Sequence, residues 1–124
     1  LVTEEVIRRV IASVEEHGSG VAAVAVTDTI KRADDTGLVL ETLDRNALRA
    51  MQTPQGFVVS ALRKAHDVAA LDGYRATDDA ALLEHLALPV YLCEGSRDNI
   101  KLTTPFDMQL AEVILAMRDE EASE

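Results

Sequence analysis

The first third of the chain carries a helical and then a strand pattern of apolar positions. Apolar residues recur at helical spacing over residues 6–14. Thr3 precedes this pattern as a hydroxyl cap ahead of acidic residues, and Gly18 follows it as a typical C-cap. Residues 21–26 are continuously apolar, as in a strand that is covered on both faces. A helix followed directly by such a strand predicts part of an α/β sheet.

The next segment mixes polar and apolar residues and predicts a hairpin. Residues 29–33 and 38–43 are β-prone, and the turn residues 34–37 lie between them. An isolated two-stranded hairpin is marginally stable in water. We therefore expect an arm that packs against a partner surface, namely a second subunit.

Turn residues also divide the centre of the chain. The sequence Thr-Pro-Gln-Gly at 53–56 predicts a turn, and residues 57–71 then have the pattern of an amphipathic helix that ends at Gly73. Thr77, which precedes two aspartates, is expected to cap a short helix that runs through Leu86.

The remaining residues predict two short strands and a final helix. Residues 89–93 read as a buried strand, 94–99 as a polar loop and 100–102 as a short strand. A cap, a first-turn proline and an acid at 104–107 open a helix that we expect to end near Met117.

Composition is that of a globular domain and excludes several classes of protein. Of the 124 residues, 48% are hydrophobic and 27% charged. No stretch approaches the ~20 apolar residues of a membrane span, and no basic-then-apolar leader argues for export. The chain begins with Leu1 and not with Met, and it runs straight into a helical pattern, which suggests that it was cut from something longer.

Charge argues against two kinds of partner and leaves two interpretations of the cations. A net charge of −10 disfavours nonspecific binding to nucleic acid or to anionic membranes. Four cations nevertheless lie close together in the sequence, and another stands apart; they are Lys31, Arg32, Arg45, Arg49 and Lys101. They could form an ordinary solvated surface, which charge alone favours, or a site for an anionic small molecule.

Few residues carry an obvious catalytic pattern. There is no nucleophile–base motif, no Gly-rich phosphate loop and no metal-ligand spacing among the histidines. Cys93 reads as an inert core thiol, and Asp78 and Asp79 read as helix-start acids and not as metal ligands. The strongest case is Arg45 with Lys101, because guanidinium and ammonium groups near strand ends bind phosphate.

Five blocks of sequence become specific when they are taken together. They are Val-Thr-Asp-Thr-Ile-Lys-Arg at 26–32, Leu-Asp-Arg-Asn-Ala-Leu at 43–48, Gln-Thr-Pro-Gln-Gly-Phe at 52–57, Thr-Asp-Asp-Ala at 77–80, and Asp-Asn-Ile-Lys-Leu-Thr-Thr-Pro at 98–105. In this order and at these spacings, the series resembles the second half of the methylerythritol phosphate cytidylyltransferases of the non-mevalonate isoprenoid route. The resemblance covers nearly the whole chain.

The resemblance implies a fold, a reaction and an assembly. The fold would be Rossmann-like, a mostly parallel sheet with flanking helices, of which residues 1–124 are the C-terminal portion. A β-arm at about residues 28–46 would clasp the other subunit of a cytoplasmic homodimer. The reaction would join methylerythritol phosphate to the CMP part of CTP and release pyrophosphate, with Mg²⁺ present.

Individual residues acquire roles by their matching positions. Thr29 and Arg45 would hold the sugar phosphate in the neighbouring subunit's site. Thr53, Thr77 and Lys101 would line the site of their own subunit, with Lys101 near the reacting phosphates. Arg45 and Lys101 would be the catalytic cations, and no side-chain nucleophile is needed.

The sequence also departs from the family pattern. The family's Gly-rich loop and its Asp-Ala-Ala-Arg segment, which supplies the metal ligand, have no counterpart here, so we expect this chain alone to be inactive. Ribitol 5-phosphate cytidylyltransferases share similar Thr-Pro-Gln and Asp-Asn-Ile-Lys blocks, although the residues at 28–32 and 77–80 favour the methylerythritol enzyme. A non-catalytic dimerisation or ligand-binding module is the other alternative.

Overall fold

Helices and strands alternate through residues 1–124, all of which are described in the computed structural model. The helices are α1 (Glu4–His17), α2 (Val59–Asp72), α3 (Asp79–His85) and α4 (Pro105–Ala122), with a 3₁₀ turn at Arg45–Ala47; the strands are β1 (Ser19–Ala25), β2 (Lys31–Ala33), β3 (Val39–Thr42), β4 (Arg49–Phe57) and β5 (Leu92–Glu94).

Strand β1 is the centre of a mixed sheet with the order β4-β1-β5. It pairs antiparallel with β4, from Ser19 opposite Phe57 to Ala25 opposite Arg49. It pairs parallel with β5 over three residues, starting with Val21 opposite Leu92. The predicted α/β class is confirmed, and one of the two strand pairings in this mixed sheet is parallel.

The turn predicted at 53–56 is wrong, because these residues lie inside β4. The pairing of β4 with β1 jumps from Gln55 opposite Val21 to Met51 opposite Ala23. The intervening residues of β4 therefore bulge out of the ladder, and the Thr53–Pro54 peptide bond within them is cis. Turn-forming residues correctly marked an interruption in the pairing, but a bulge accommodates it within one strand.

The hairpin prediction is confirmed. Strands β2 and β3 pair antiparallel, and all of their residues are exposed. Across the pair, the Lys31 ammonium donates to the Thr42 hydroxyl at 2.7 Å, and Arg32 and Glu41 form an ion pair at 2.9 Å. No other part of this chain covers the hairpin, and its packing against a second subunit stays a prediction.

Helices α1 and α4 have the predicted caps. The Val6 amide donates to the Thr3 hydroxyl at 3.3 Å, and α1 ends at Gly18 with φ of 86°. Helix α4 opens with a capping box between Thr104 and Asp107. It continues to Ala122, beyond the predicted end near Met117, because residues 118–122 are mostly good helix formers.

Three smaller predictions are wrong. Asp78, and not Thr77, caps α3 by accepting a hydrogen bond from the Ala81 amide at 2.9 Å. Residues 100–102 form no strand. The predicted buried strand at 89–93 is reduced to β5, which is largely exposed because only β1 lies beside it.

The buried core is small for a chain of this size. One cluster of four small and aliphatic residues joins α2 to α3, and another joins α1 to β1 through Val6, Val10 and Ala22. The accessible surface is 8867 Å², whereas a compact monomer of this mass exposes about 6,500 Å². Many large apolar side chains are exposed, including Phe106 and Val113 on α4, which are 70% and 56% exposed. No helix combines the length and the apolar character that crossing a bilayer requires.

Candidate functional site

A cavity of about 730 Å³ lies between β4, α2, the start of α3 and the segment that leads into α4. Its lining includes Thr53, Thr77 and Lys101, three of the five residues predicted to bind substrate. These residues are far apart in the sequence, and tertiary structure brings them together. The β4 bulge supplies Thr53, which is thereby released from the regular ladder.

The start of α3 is tied to β4 by one glutamine side chain. Gln55 donates from Nε2 to the Asp78 carboxylate at 3.0 Å and accepts the Ala80 amide on Oε1 at 3.2 Å. The other Asp78 oxygen caps α3. Because Gln55 lies two residues after Thr53, this contact fixes the wall that carries Thr77 against the wall that carries Thr53.

Lys101 lies in a segment without helix or strand. The segment is pinned to α4 by an ion pair between Arg118 and Asp98, at 2.9 Å. The Ser96 hydroxyl and then the Arg118 guanidinium hold the pKa of the Asp98 carboxyl below its ordinary value. Asp98 is therefore ionised at neutral pH and holds the loop through Arg118. The Lys101 side chain, in contrast, has no hydrogen-bond or ion-pair partner in the chain.

The side chains that line the cavity carry more negative than positive charge. Lys101 is its only lysine or arginine, while Asp78 and Asp79 both line it, which gives 1 − 2 = −1 without the histidine. His66 lies 3.3 Å from Asp79 and is oriented toward that carboxylate. A further cation from outside the cavity would favour the binding of a phosphate dianion here.

Thr29 and Arg45 lie elsewhere, in a separate cavity of about 270 Å³ at the base of the hairpin. Asp44 caps the 3₁₀ turn by accepting the Asn46 amide at 3.0 Å, and this turn presents Arg45. The Arg45 guanidinium donates from Nη1 to the Thr27 carbonyl at 2.7 Å. Its other nitrogens have no hydrogen-bond partner in the chain and can bind an anion. The five predicted residues therefore divide into a set of three and a set of two.

A third cavity of about 710 Å³ was not predicted from the sequence. It lies near the ends of β1 and β5, and its lining includes three arginines from other parts of the chain: Arg9, Arg49 and Arg97. The guanidinium groups already donate hydrogen bonds to backbone carbonyls. Arg9 donates to the carbonyls of Glu94 and Gly95. Arg97 and Arg49 likewise donate to backbone carbonyls. These contacts give the three arginines a structural role at or next to the ends of the strands.

The carboxylates that line the cavity are engaged by other groups of this chain. No group of three or more His, Cys, Asp or Glu side chains converges. Both carboxylate oxygens of Asp78 already accept hydrogen bonds, and Asp79 pairs with His66. Cys93 is free and half-buried, and burial raises the pKa of its thiol, as expected for an unreactive packing residue.

Comparison with known proteins gives a consistent result. A sequence model of the 2-C-methyl-D-erythritol 4-phosphate cytidylyltransferase family matches residues 1–117. The enzyme of that name from Parasynechococcus marenigrum is 50% identical over 101 residues, covering 82% of this chain and 45% of the relative. The one from Synechococcus sp. WH7803 is 46% identical over 118 residues, covering 95% of this chain and 53% of the relative. The chain thus spans about half the length of the curated relatives it matches.

Solved structures agree with the sequence comparison. The crystal structure of 2-C-methyl-D-erythritol 4-phosphate cytidylyltransferase from Thermus thermophilus superimposes with a TM-score of 0.82 at 37% identity. The match covers 92% of this chain and 56% of that structure. The similarity therefore extends to the α/β fold with its mixed sheet.

Proposed function

We propose, since this chain belongs to the 2-C-methyl-D-erythritol 4-phosphate cytidylyltransferase family, that it contributes the sugar-phosphate site of such an enzyme. The reaction would transfer CMP from CTP to 2-C-methyl-D-erythritol 4-phosphate in the non-mevalonate route to isoprenoids. The observation that carries the proposal is the cavity in which Thr53, Thr77 and Lys101 converge.

The chemistry of this reaction suits the residues in the cavity. An oxygen of the sugar phosphate forms a bond to the α-phosphorus of CTP, and the bond from that phosphorus to the bridging oxygen of pyrophosphate breaks. Two anions must approach each other, so positioning and charge neutralisation dominate over nucleophilic catalysis. The Lys101 ammonium would offset charge at the reacting phosphates, and the hydroxyls of Thr53 and Thr77 would bind the sugar phosphate.

The missing cation would come from a second subunit. The cavity carries a formal charge of −1 from its lysine and aspartates, and Arg45 lies in a different cavity on an exposed hairpin. We infer that a homodimer places the hairpin of each subunit over the cavity of the other. Arg45 and Thr29 would then grip the sugar phosphate, since a guanidinium can bind phosphate through two parallel hydrogen bonds.

Nucleotide binding belongs to a part of the enzyme outside these residues. No Gly-rich phosphate loop and no Mg²⁺ ligand set occurs among them. The exposed apolar side chains of α4 support a further packed layer that would carry CTP and the metal. On this proposal the isolated chain is inactive, and the full-length enzyme works in the cytoplasm.

The substrate is tested by measuring pyrophosphate release from CTP by the full-length protein. 2-C-methyl-D-erythritol 4-phosphate and ribitol 5-phosphate are compared at equal concentrations. We expect the methylerythritol substrate to give the higher kcat/KM. A preference for ribitol phosphate would assign the chain to that related activity, and no release with either would leave a non-catalytic binding module.

Replacing Arg45 with alanine is expected to lower kcat/KM for the sugar phosphate about 100-fold, because the nucleophilic phosphate would lose its bidentate partner. The KM for CTP should change little. Arg45 is exposed, and its side chain forms one hydrogen bond within the chain, to the Thr27 carbonyl, so the far-UV circular dichroism spectrum and the urea midpoint should be unchanged. Lys64→Ala, which removes an exposed cation from α2, is the matched control.

Mixing two inactive variants tests whether Arg45 acts across the dimer. Arg45→Ala and Lys101→Ala subunits are refolded together. A mixed dimer would hold one site with both cations and one with neither, so mixing should restore activity to about one quarter of wild type. Failure to restore activity, with mixed dimers demonstrated by differential tagging, would place Arg45 and Lys101 in the same subunit's site or outside it.

A further inference from the structure

The position of Lys101 is set by side-chain hydrogen bonds and not by secondary structure. Residues 95–104, which include Lys101, form neither helix nor strand. Thr53, which lines the same cavity, belongs to a bulge of β4. The sheet ladder therefore does not determine the separation of these two residues.

Gln52 holds the loop against β4 in the manner of a strand partner. Its side-chain Nε2 donates to the Ser96 carbonyl at 2.7 Å, and its Oε1 accepts the Ser96 amide at 3.2 Å. One side-chain amide thus satisfies both backbone groups of a single loop residue. Glycine is required next to it, because a Cβ at Gly95 would collide with the Gln52 amide and lie 3.2 Å from the Ala23 nitrogen.

Asn99 makes the second connection, and it reaches the bulge itself. Its side-chain Nδ2 donates to the Thr53 carbonyl at 2.7 Å and to Gln52 Oε1 at 3.4 Å. Asn99 is 7% exposed. If its side-chain amide were removed, water could not readily replace it as the donor to the Thr53 carbonyl. This residue lies two positions before Lys101 and bonds directly to the backbone of Thr53, so it joins the two sides of the cavity.

We propose that Asn99, supported by Gln52, is a positioning residue that sets Lys101 relative to Thr53 for phosphoryl transfer. The inference rests on the proposed function and extends it to residues that do not contact substrate. Reactions that depend on alignment are sensitive to such supports, since a misplacement of about 1 Å can reduce the rate about 100-fold. Asn99 therefore acts on the reaction through Lys101.

A double-mutant cycle on the full-length enzyme separates positioning from a general effect on the fold. Asn99→Ala alone is expected to lower kcat/KM for the sugar phosphate about 30-fold or more, with the KM for CTP unchanged. In a Lys101→Ala background the same substitution should change kcat/KM less than about twofold, because the group that it positions is already gone. Rates are expressed per folded site, counted by CTP binding.

Two further variants complete the design. Asn99→Asp keeps the shape but replaces the donor with an acceptor beside two carbonyl oxygens, so it should resemble Asn99→Ala. Glu84→Ala removes an exposed α3 side chain that forms no hydrogen bond or ion pair within the chain and should leave all parameters unchanged. Wild-type kinetics for Asn99→Ala, or equal losses with and without Lys101, would overturn the inference.

Failure of the proposed function has a different signature. If the wild-type protein releases pyrophosphate only with another sugar phosphate, the substrate assignment is wrong, and the same cycle is run with that substrate. Unchanged activity in Lys101→Ala would remove Lys101 from the site. Any loss in Asn99→Ala would then come from another cause, which also overturns the inference.

Discussion

Replacing Lys101 with alanine in the full-length protein is expected to lower kcat by about 100- to 1,000-fold. Lys101 is the only lysine or arginine of the cavity, and two aspartates lie beside it. Removing it would change the formal charge of the cavity lining from −1 to −2 and leave the reacting phosphates without a cation from this subunit's cavity. Stabilisation of charge that develops in the transition state is commonly the largest catalytic contribution, so kcat should fall more than the KM values change. Steady-state pyrophosphate release measures the effect.

The controls for Lys101 separate charge from fold. The side chain has no partner within the chain, so Lys101→Met, which retains most of its length, should unfold at the wild-type urea concentration while losing comparable activity. Lys101→Arg keeps the charge but places it on a planar group, and we expect an intermediate rate. Wild-type kcat in Lys101→Met would exclude Lys101 from the chemistry.

The helices were predictable because their signals are local. Thr3 and Gly18 bracket α1, and Thr104 with Asp107 opens α4, so short stretches of sequence contain the capping interactions. Strand β4 was missed for the opposite reason. Its proline and glycine resemble a turn, and only pairing with β1 shows that they form a bulge within a strand.

The sequence allowed candidate site residues to be named, but it did not indicate their arrangement. Local chemistry pointed to Arg45 with Lys101 as phosphate ligands, and the five-block pattern added the threonines. In one chain these two cations lie in different cavities. Asn99 and Gln52 left no signal, because an amide side chain can bond to almost any backbone group and only the fold determines which one.

The second large effect expected is on stability, from adding one methyl group at Gly20. An alanine Cβ there would lie 2.5 Å from the Val10 carbonyl oxygen and 2.8 Å from the Ser13 Cβ. Both atoms belong to α1, and the Ser13 hydroxyl is bonded to the Ser19 carbonyl at 2.7 Å. The helix would have to move away from β1, so Gly20→Ala should lower the free energy of unfolding by about 3 kcal/mol. Urea denaturation followed by circular dichroism measures it.

Gly37→Ala supplies the comparison, because it isolates backbone strain from crowding. Gly37 has φ of 89° and open space around it, so its substitution should cost only about 1 kcal/mol. Equal losses at Gly20 and Gly37 would mean that α1 can move freely on the sheet.

The packing of α1 on the sheet opposes such a movement. Gly20 is opposite Gly56 on β4, and a Cβ at Gly56 would also lie 2.8 Å from Val10 of α1. This pair of glycines forms the surface on which α1 rests. A helix displaced there should also disturb the β4 bulge that carries Thr53, so Gly20→Ala should reduce activity as well as stability.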